Sequence, residues 1–208
     1  MSWPLGELKA LSTKAARGAG FSWALAEEAG YSTQNLEAYG LAGMVNLASY
    51  LEWVETNGLL KAPIDMVNAT PVTSELKCPI ALGCVITDKL MSTNTVAVRV
   101  RQPALLLPFV SLVAGGDVVA CTINDATVKL DATGIEKAAL DLSEFYADEA
   151  IVSWDKCETA TIDTVTQSRA SNNPAAVKTL QRFAAKTYAP ATEASRLAGA
   201  GAGTTDND

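Results

Sequence analysis

The chain contains no histidine among its 208 residues. That absence removes Ser-His-Asp and Cys-His mechanisms, histidine general bases, and zinc or iron sites built on imidazole. It also removes the side chain that ordinarily changes charge between about pH 5 and 8. Cysteine is scarce: Cys78, Cys84, Cys121 and Cys157 form neither a CxxC pair nor a zinc-ligand pattern. No stretch reaches the roughly 18 consecutive apolar residues of a membrane span. The opening residues, MSWPLGELKALSTKAARG, lack a charged start followed by an apolar run, so no signal peptide is expected. An excess of basic residues is missing too. Sixteen Lys and Arg stand against 23 Asp and Glu, a net charge of −7. This argues against a nucleic-acid or anionic-membrane surface, because phosphate binding needs clustered bases. Chemistry is left to carboxylates, lysine, cysteine, tyrosine, backbone groups or a cofactor.

What is present suffices for a core. Hydrophobic residues make up 49% of the chain and charged residues 19%, a balance that does not suggest disorder. The length fits one large domain or two small ones. The reading adopted is a single α+β domain over residues 1–198, followed by a Gly-rich acidic tail over 199–208. The cysteines read as buried free thiols, which implies a cytoplasmic location and no disulfide.

The first 58 residues read as helical. Leu41, Met44, Val45, Ala48 and Leu51 recur at helical spacing, and Asn57-Gly58 supplies a stop. Ser22 is a plausible N-cap for a helix starting at Trp23. Gly30 interrupts that helix, so either a neighbour packs tightly there or the helix restarts near Ser32.

From about residue 62 to 165 the signal turns to strands. KCPIALGCVITD, TNTVAVRVR, ALLLPFVSLVA, DVVACTI, ATVKLD and EAIVSW are short and rich in Val, Ile, Leu and Thr. On this reading Cys78, Ile80, Leu82 and Cys84 share one strand face. TVAVRVR alternates, as a half-buried antiparallel strand would. No helical pattern regularly separates these segments, so a βαβ arrangement is not expected. Residues 135–146 read as one helix within this region. The last regular element, NPAAVKTLQRFAAKTY, places Pro174 at a helix start, with Val177, Leu180, Phe183 and Ala184 on one face. Lys178, Arg182 and Lys186 lie opposite. Helices, then a mainly antiparallel sheet, then an amphipathic helix and a Gly-rich tail make an α+β fold. Charge is uneven: seven acids and one base lie between Asp141 and Asp163, and five bases and one acid between Thr166 and Ala198. The two regions face each other or face water.

Two segments exceed what packing requires. RGAGFSWALAEEAG, from Arg17 to Gly30, joins a Gly-rich loop to a helix start and then sets two glutamates side by side. Such a loop exposes N–H groups at the positive end of a helix dipole, and Arg17 adds a bidentate fork for a carboxylate or phosphate. Arg17, Gly18, Gly20 and Trp23 are thus candidate ligand-binding residues. The alternative is a helix C-cap at Gly18 and a tight turn at Gly20, with Arg17 paired to Glu27 or Glu28. Glu27 and Glu28 point about 100° apart on a helix, so at most one serves as a general base. The second segment, SRLAGAGAGTTDND, adds Arg196 as a further ligand-binding candidate.

On these residues the chain resembles an uncharacterised proteobacterial family, a domain of unknown function. The resemblance lies in Lys14 to Arg17, the RGAG loop, Trp23, the LAEEAG run from Leu25 to Gly30, and Thr187 to Asp208. Ala24 stands where that pattern has glycine. The resemblance implies a full-length member of one family and no reaction class. Three readings stay open. The first is a protein that binds a small anionic metabolite, or assists a metabolic enzyme, without a metal. The second is a histidine-free enzyme using Glu27 or Glu28 as general base. The third is a structural or assembly subunit. No nucleic acid and no membrane is expected as a partner.

Overall fold

The computed structural model describes residues 2–60, 72–88, 97–136, 147–157, 161–164 and 166–188. Three helices open the chain: α1 (Leu5–Gly18), α2 (Trp23–Ala38) and α3 (Gly43–Asn57). Ser22 caps α2 by accepting the Leu25 N–H at 3.3 Å. The helix runs through Gly30 unbroken because α1 crosses there. A Cβ at Gly30 would stand 2.2 Å from Thr13 Oγ1 and 2.9 Å from the Lys9 carbonyl oxygen. Ser32, instead of restarting the helix, donates its hydroxyl to the Leu105 carbonyl at 2.6 Å. Glu37 is buried and fastens three segments. Its carboxylate accepts the Met44 N–H at 3.0 Å at the start of α3, and both the N–H and the hydroxyl of Ser171 at 3.1 Å. The helix dipole favours an anion at that place.

The sheet has the order β2 (Val72–Lys77), β3 (Ala97–Arg101), β7 (Glu149–Cys157), β4 (Val118–Ile123), β5 (Ala126–Asp131) and β6 (Gly134–Ile135). Four neighbouring pairs are antiparallel and β2–β3 is parallel. A separate two-stranded ribbon pairs β1 (Trp3–Pro4) with β8 (Arg169–Ala170). β3 alternates as read, with Val98 and Val100 buried. Asn124 and Asp125 turn the β4–β5 hairpin, Asn124 taking a left-handed φ of 52°.

Two expected strands are helices. Residues 79–87 form α4 (Pro79–Thr87). The ALLLPFVSLVA segment forms a 3-10 turn (Pro103–Leu106) and α5 (Leu107–Ala114). Pro79 and Pro108 sit in first helical turns, where a missing N–H costs nothing. The Cys78 thiol accepts the Ala81 N–H at 3.4 Å. Apolar on nearly every side, both helices lack the periodicity that separates a buried helix from a buried strand. Cys78, Ile80, Leu82 and Cys84 therefore do not share one face. α4 joins β2 to its parallel neighbour β3, so one βαβ unit exists where none was expected. α5 lies between α2 and strands β4 and β5, and the ring of Phe109 fills the space beside Gly83.

The proposed helix over 135–146 does not begin at Ile135, which belongs to β6. Glu136 bridges to Thr164, and residues 137–146 lie outside the described residues. The last helix, α6 (Pro174–Ala185), is as read, with Asn173 accepting the Ala176 N–H at 3.0 Å. Two of its bases turn to α3. Arg182 and Lys186 each reach Glu55 at 2.7 Å, while Asp148 pairs with Arg101 at 3.2 Å. All four cysteines are free. Among the described residues no helix is long and apolar enough to cross a membrane. Among the same residues no cluster of three metal-ligating side chains occurs.

Candidate functional site

One stripe of α1 is only partly covered by the other described residues. Gly6, Lys9, Ala10, Thr13, Lys14 and Arg17 recur three and four residues apart and so line one face. The start of α2 and the end of α6 stand on either side of this stripe and make a groove. Its larger lobe, about 730 Å³, is lined by Lys9, Thr13, Lys14, Trp23, Glu27 and Tyr188. A second lobe of about 410 Å³ is lined by Arg17, Gly18, Gly20, Trp23, Lys186 and Thr187. Trp23 and Thr187 belong to both.

The RGAG loop does not present a nest of free amides. Ala19 N–H donates to the Ala15 and Ala16 carbonyls at 3.0 and 3.1 Å. Gly20 N–H donates to Arg17 at 3.0 Å and Phe21 N–H to Ala16 at 3.2 Å. Gly20, at φ 104°, makes the left-handed turn that lets α1 stop this way. Gly18 is needed for another reason. A Cβ there would stand 1.9 Å from the Phe183 carbonyl oxygen, so the end of α1 touches the main chain of α6. The backbone N–H groups of this loop are occupied within the turn, which leaves its side chains facing the groove.

Arg17 is held in place. Its Nη1 donates to the Phe21 carbonyl at 2.6 Å, and its guanidinium carbon lies 5.2 Å from the centre of the Trp23 ring. It pairs with neither glutamate. A guanidinium carries five N–H donors, so most of the fork has no acceptor among the described residues. Lys14 stands in the same relation to the second aromatic: Nζ is 3.4 Å from the Tyr188 hydroxyl and 5.5 Å from the ring centre. Trp23 and Tyr188 are 61% and 63% exposed, the two most exposed large hydrophobic side chains among the described residues. Each carries a cation against its ring, an arrangement that fixes the charge and leaves a flat apolar surface open.

The two glutamates part as the helix geometry requires. Glu27 faces the groove. Glu28 lies towards α4, where its charge helps to raise two neighbours. Burial first, then Glu28 and Asp88, push the Cys84 thiol up to about 12. Burial, then Tyr39 and Glu28, raise the Tyr31 phenol well above its ordinary value. Arg196 lies outside the described residues.

The groove thus gathers Arg17, Gly18, Gly20, Trp23 and Glu27 and leaves Glu28 aside. Sequence reasoning missed Lys9, Lys14, Thr13 and Tyr188. The signal for the first three was available as a cationic and small-residue stripe along α1. Tyr188 carried no such signal, because only the packing of α6 on α1 brings it there. No curated protein and no solved structure matches the chain. Residues 4–78, which hold α1, α2, α3, β2 and the groove apart from its α6 wall, match the family model described as a protein of unknown function (DUF3726).

Proposed function

We propose that this protein binds a small organic anion carrying a flat apolar portion, as an aryl carboxylate or aryl phosphate does. The observation that carries this reading is the pairing of Trp23 with Arg17 and of Tyr188 with Lys14 on one groove. A ligand ring stacks on exposed indole or phenol, and its anionic group meets Lys14 or the Arg17 fork. The cations supply the positive charge, so the reading needs no metal. Its setting is the bacterial cytoplasm, supported by the resemblance given above and by four unpaired thiols. If the site also performs chemistry, Glu27 is its general base, because it is the glutamate that lines the groove among the described residues.

Calorimetric titration with benzoate, phenyl phosphate and inorganic phosphate tests the reading. Phenyl phosphate is expected to bind more tightly than inorganic phosphate. Arg17→Ala and Trp23→Ala are each expected to weaken it about tenfold, the first by losing a charge-assisted contact and the second by losing the stacking surface. Equal binding of the two phosphates, or binding indifferent to both substitutions, overturns the proposal.

A further inference from the structure

We propose that the larger lobe takes an aromatic amino acid, its ring on Trp23, its carboxylate on Lys14 and its ammonium on Glu27. The inference rests on the aryl-anion reading and narrows its ligand to a zwitterion.

The first argument is the charge left open on the two walls. Lys9 and Lys14 line the lobe from α1, and Glu27 lines it from α2. Opposite charges on neighbouring helices can close on each other, as Arg182 and Lys186 of α6 close on Glu55 of α3 at 2.7 Å. Here they do not. Among the described residues neither Lys9 nor Glu27 has an ion-pair partner, and Lys14 meets the hydroxyl and ring of Tyr188. An exposed charge by itself is ordinarily a solvated one. These stand on either side of an exposed indole, in one lobe. A simple anion drawn in by the lysines meets the Glu27 carboxylate as a like charge, and a simple cation meets the lysines in the same way. A guest carrying both signs suits both walls.

The second argument is spacing. Trp23 and Glu27 are four residues apart on α2 and so share one face, Glu27 starting about one turn, 5.4 Å, further along. An ammonium joined by two carbons to a ring stacked on Trp23 comes within reach of that carboxylate. Two carbons are the link in an α-amino acid with a benzyl side chain, and its carboxylate leaves the same carbon towards α1. The third argument is room. The lobe, about 730 Å³, has the size of a small-metabolite site, and Tyr188 gives the ring a second apolar wall.

Calorimetric titration of the full chain tests this with L-phenylalanine, 3-phenylpropionate, which lacks the amine, and phenethylamine, which lacks the carboxylate. Phenylalanine is expected to bind about tenfold more tightly than either, the effect of one charge-assisted contact. Glu27 is exposed, so Glu27→Gln is expected to fold as wild type does. This variant is expected to bind phenylalanine no better than phenylpropionate. Lys14→Gln is expected to weaken phenylalanine and phenylpropionate about tenfold and to leave phenethylamine no weaker. Phenylpropionate binding as tightly as phenylalanine overturns the proposal and leaves the aryl-anion reading in place. An amine preference that survives Glu27→Gln does the same. Phenylalanine held through Glu27, where benzoate and phenyl phosphate do not bind, sinks the broader reading and spares this one. A groove that binds none of these probes ends both.

Discussion

Replacing Gly18 with alanine separates two roles that one glycine can play at a ligand site. A Cβ at this position would stand 1.9 Å from the Phe183 carbonyl oxygen and 2.8 Å from its carbon. Both atoms are main chain, so no rotamer change relieves the contact. α1 and α6 must part by about 1.5 Å to return to an ordinary approach. Overpacking of this kind costs at the upper end about 3 kcal/mol. Alanine returns about 1 kcal/mol through its helix propensity, since Gly18 is a helical residue. The net loss is then about 2 kcal/mol. For a chain of this size each kcal/mol moves the melting temperature by about 2–4 °C, so Gly18→Ala is expected to melt about 4–8 °C lower. Thermal and urea melts measure this, the urea midpoint falling while the slope stays constant. Phe183→Leu in the same chain is expected not to rescue it, because the clash is with the carbonyl and not the ring. A variant that melts at or above wild type refutes the packing argument. One that melts normally but binds phenyl phosphate poorly would return Gly18 to the role of a ligand cradle.

Gly83→Ala brings a different clash, 2.3 Å from the Phe109 ring. Because a side chain is the obstacle, Phe109→Leu is expected to recover part of the lost stability, and a double-mutant cycle showing strict additivity contradicts this. Glu37→Leu strips the Met44 and Ser171 N–H groups of their acceptor and is expected to cost about 2–4 kcal/mol; a urea midpoint near wild type rules out that fastening role. Between about pH 6 and 8 stability is expected to be flat, since carboxylates titrate below this window and lysines above it. On the alkaline side the sign follows from burial, which pushes the Cys121 thiol from 9.0 up to about 12. The unfolded thiol ionises first, so the stabilisation is full below about pH 9 and is lost as pH rises towards 12. On the acid side Lys186 and Arg182 hold the Glu55 carboxyl below its ordinary value. That contribution is present above the unfolded value and lost as pH falls through the folded one. Melts across both ranges check the three limbs, and a steep slope between pH 6 and 8 would contradict the first.

The α+β character and the outer helices were legible because each has one dry face. α6 shows this best: Val177, Leu180, Phe183 and Ala184 are buried while Lys178 and Arg182 are exposed. The misread segments, α4 and α5, are buried on nearly every side, and a helix with no wet face leaves no period to read. Their prolines were the remaining clue, since Pro79 and Pro108 sit where helices begin. The βαβ unit was lost with α4. At the candidate site, RGAG pointed to one end of the groove. Its glycines serve the turn and the α1–α6 contact, while Lys14 and Lys9, one and two turns earlier, carry further positive charge along the same stripe. Tyr188 lies 171 positions from Arg17 in sequence, and nothing local connects them.

The helices around the groove meet at glycines: Gly18 against the Phe183 carbonyl, Gly30 against the Lys9 carbonyl, Gly43 against the Thr33 carbonyl. At Gly18 and Gly43 main chain is the nearest obstacle, while at Gly30 the Thr13 hydroxyl stands closer than the carbonyl. The spacing of α1 from α6 is therefore set at Gly18 by main chain, so a larger residue there displaces the two helices that flank the groove, whose walls are side chains.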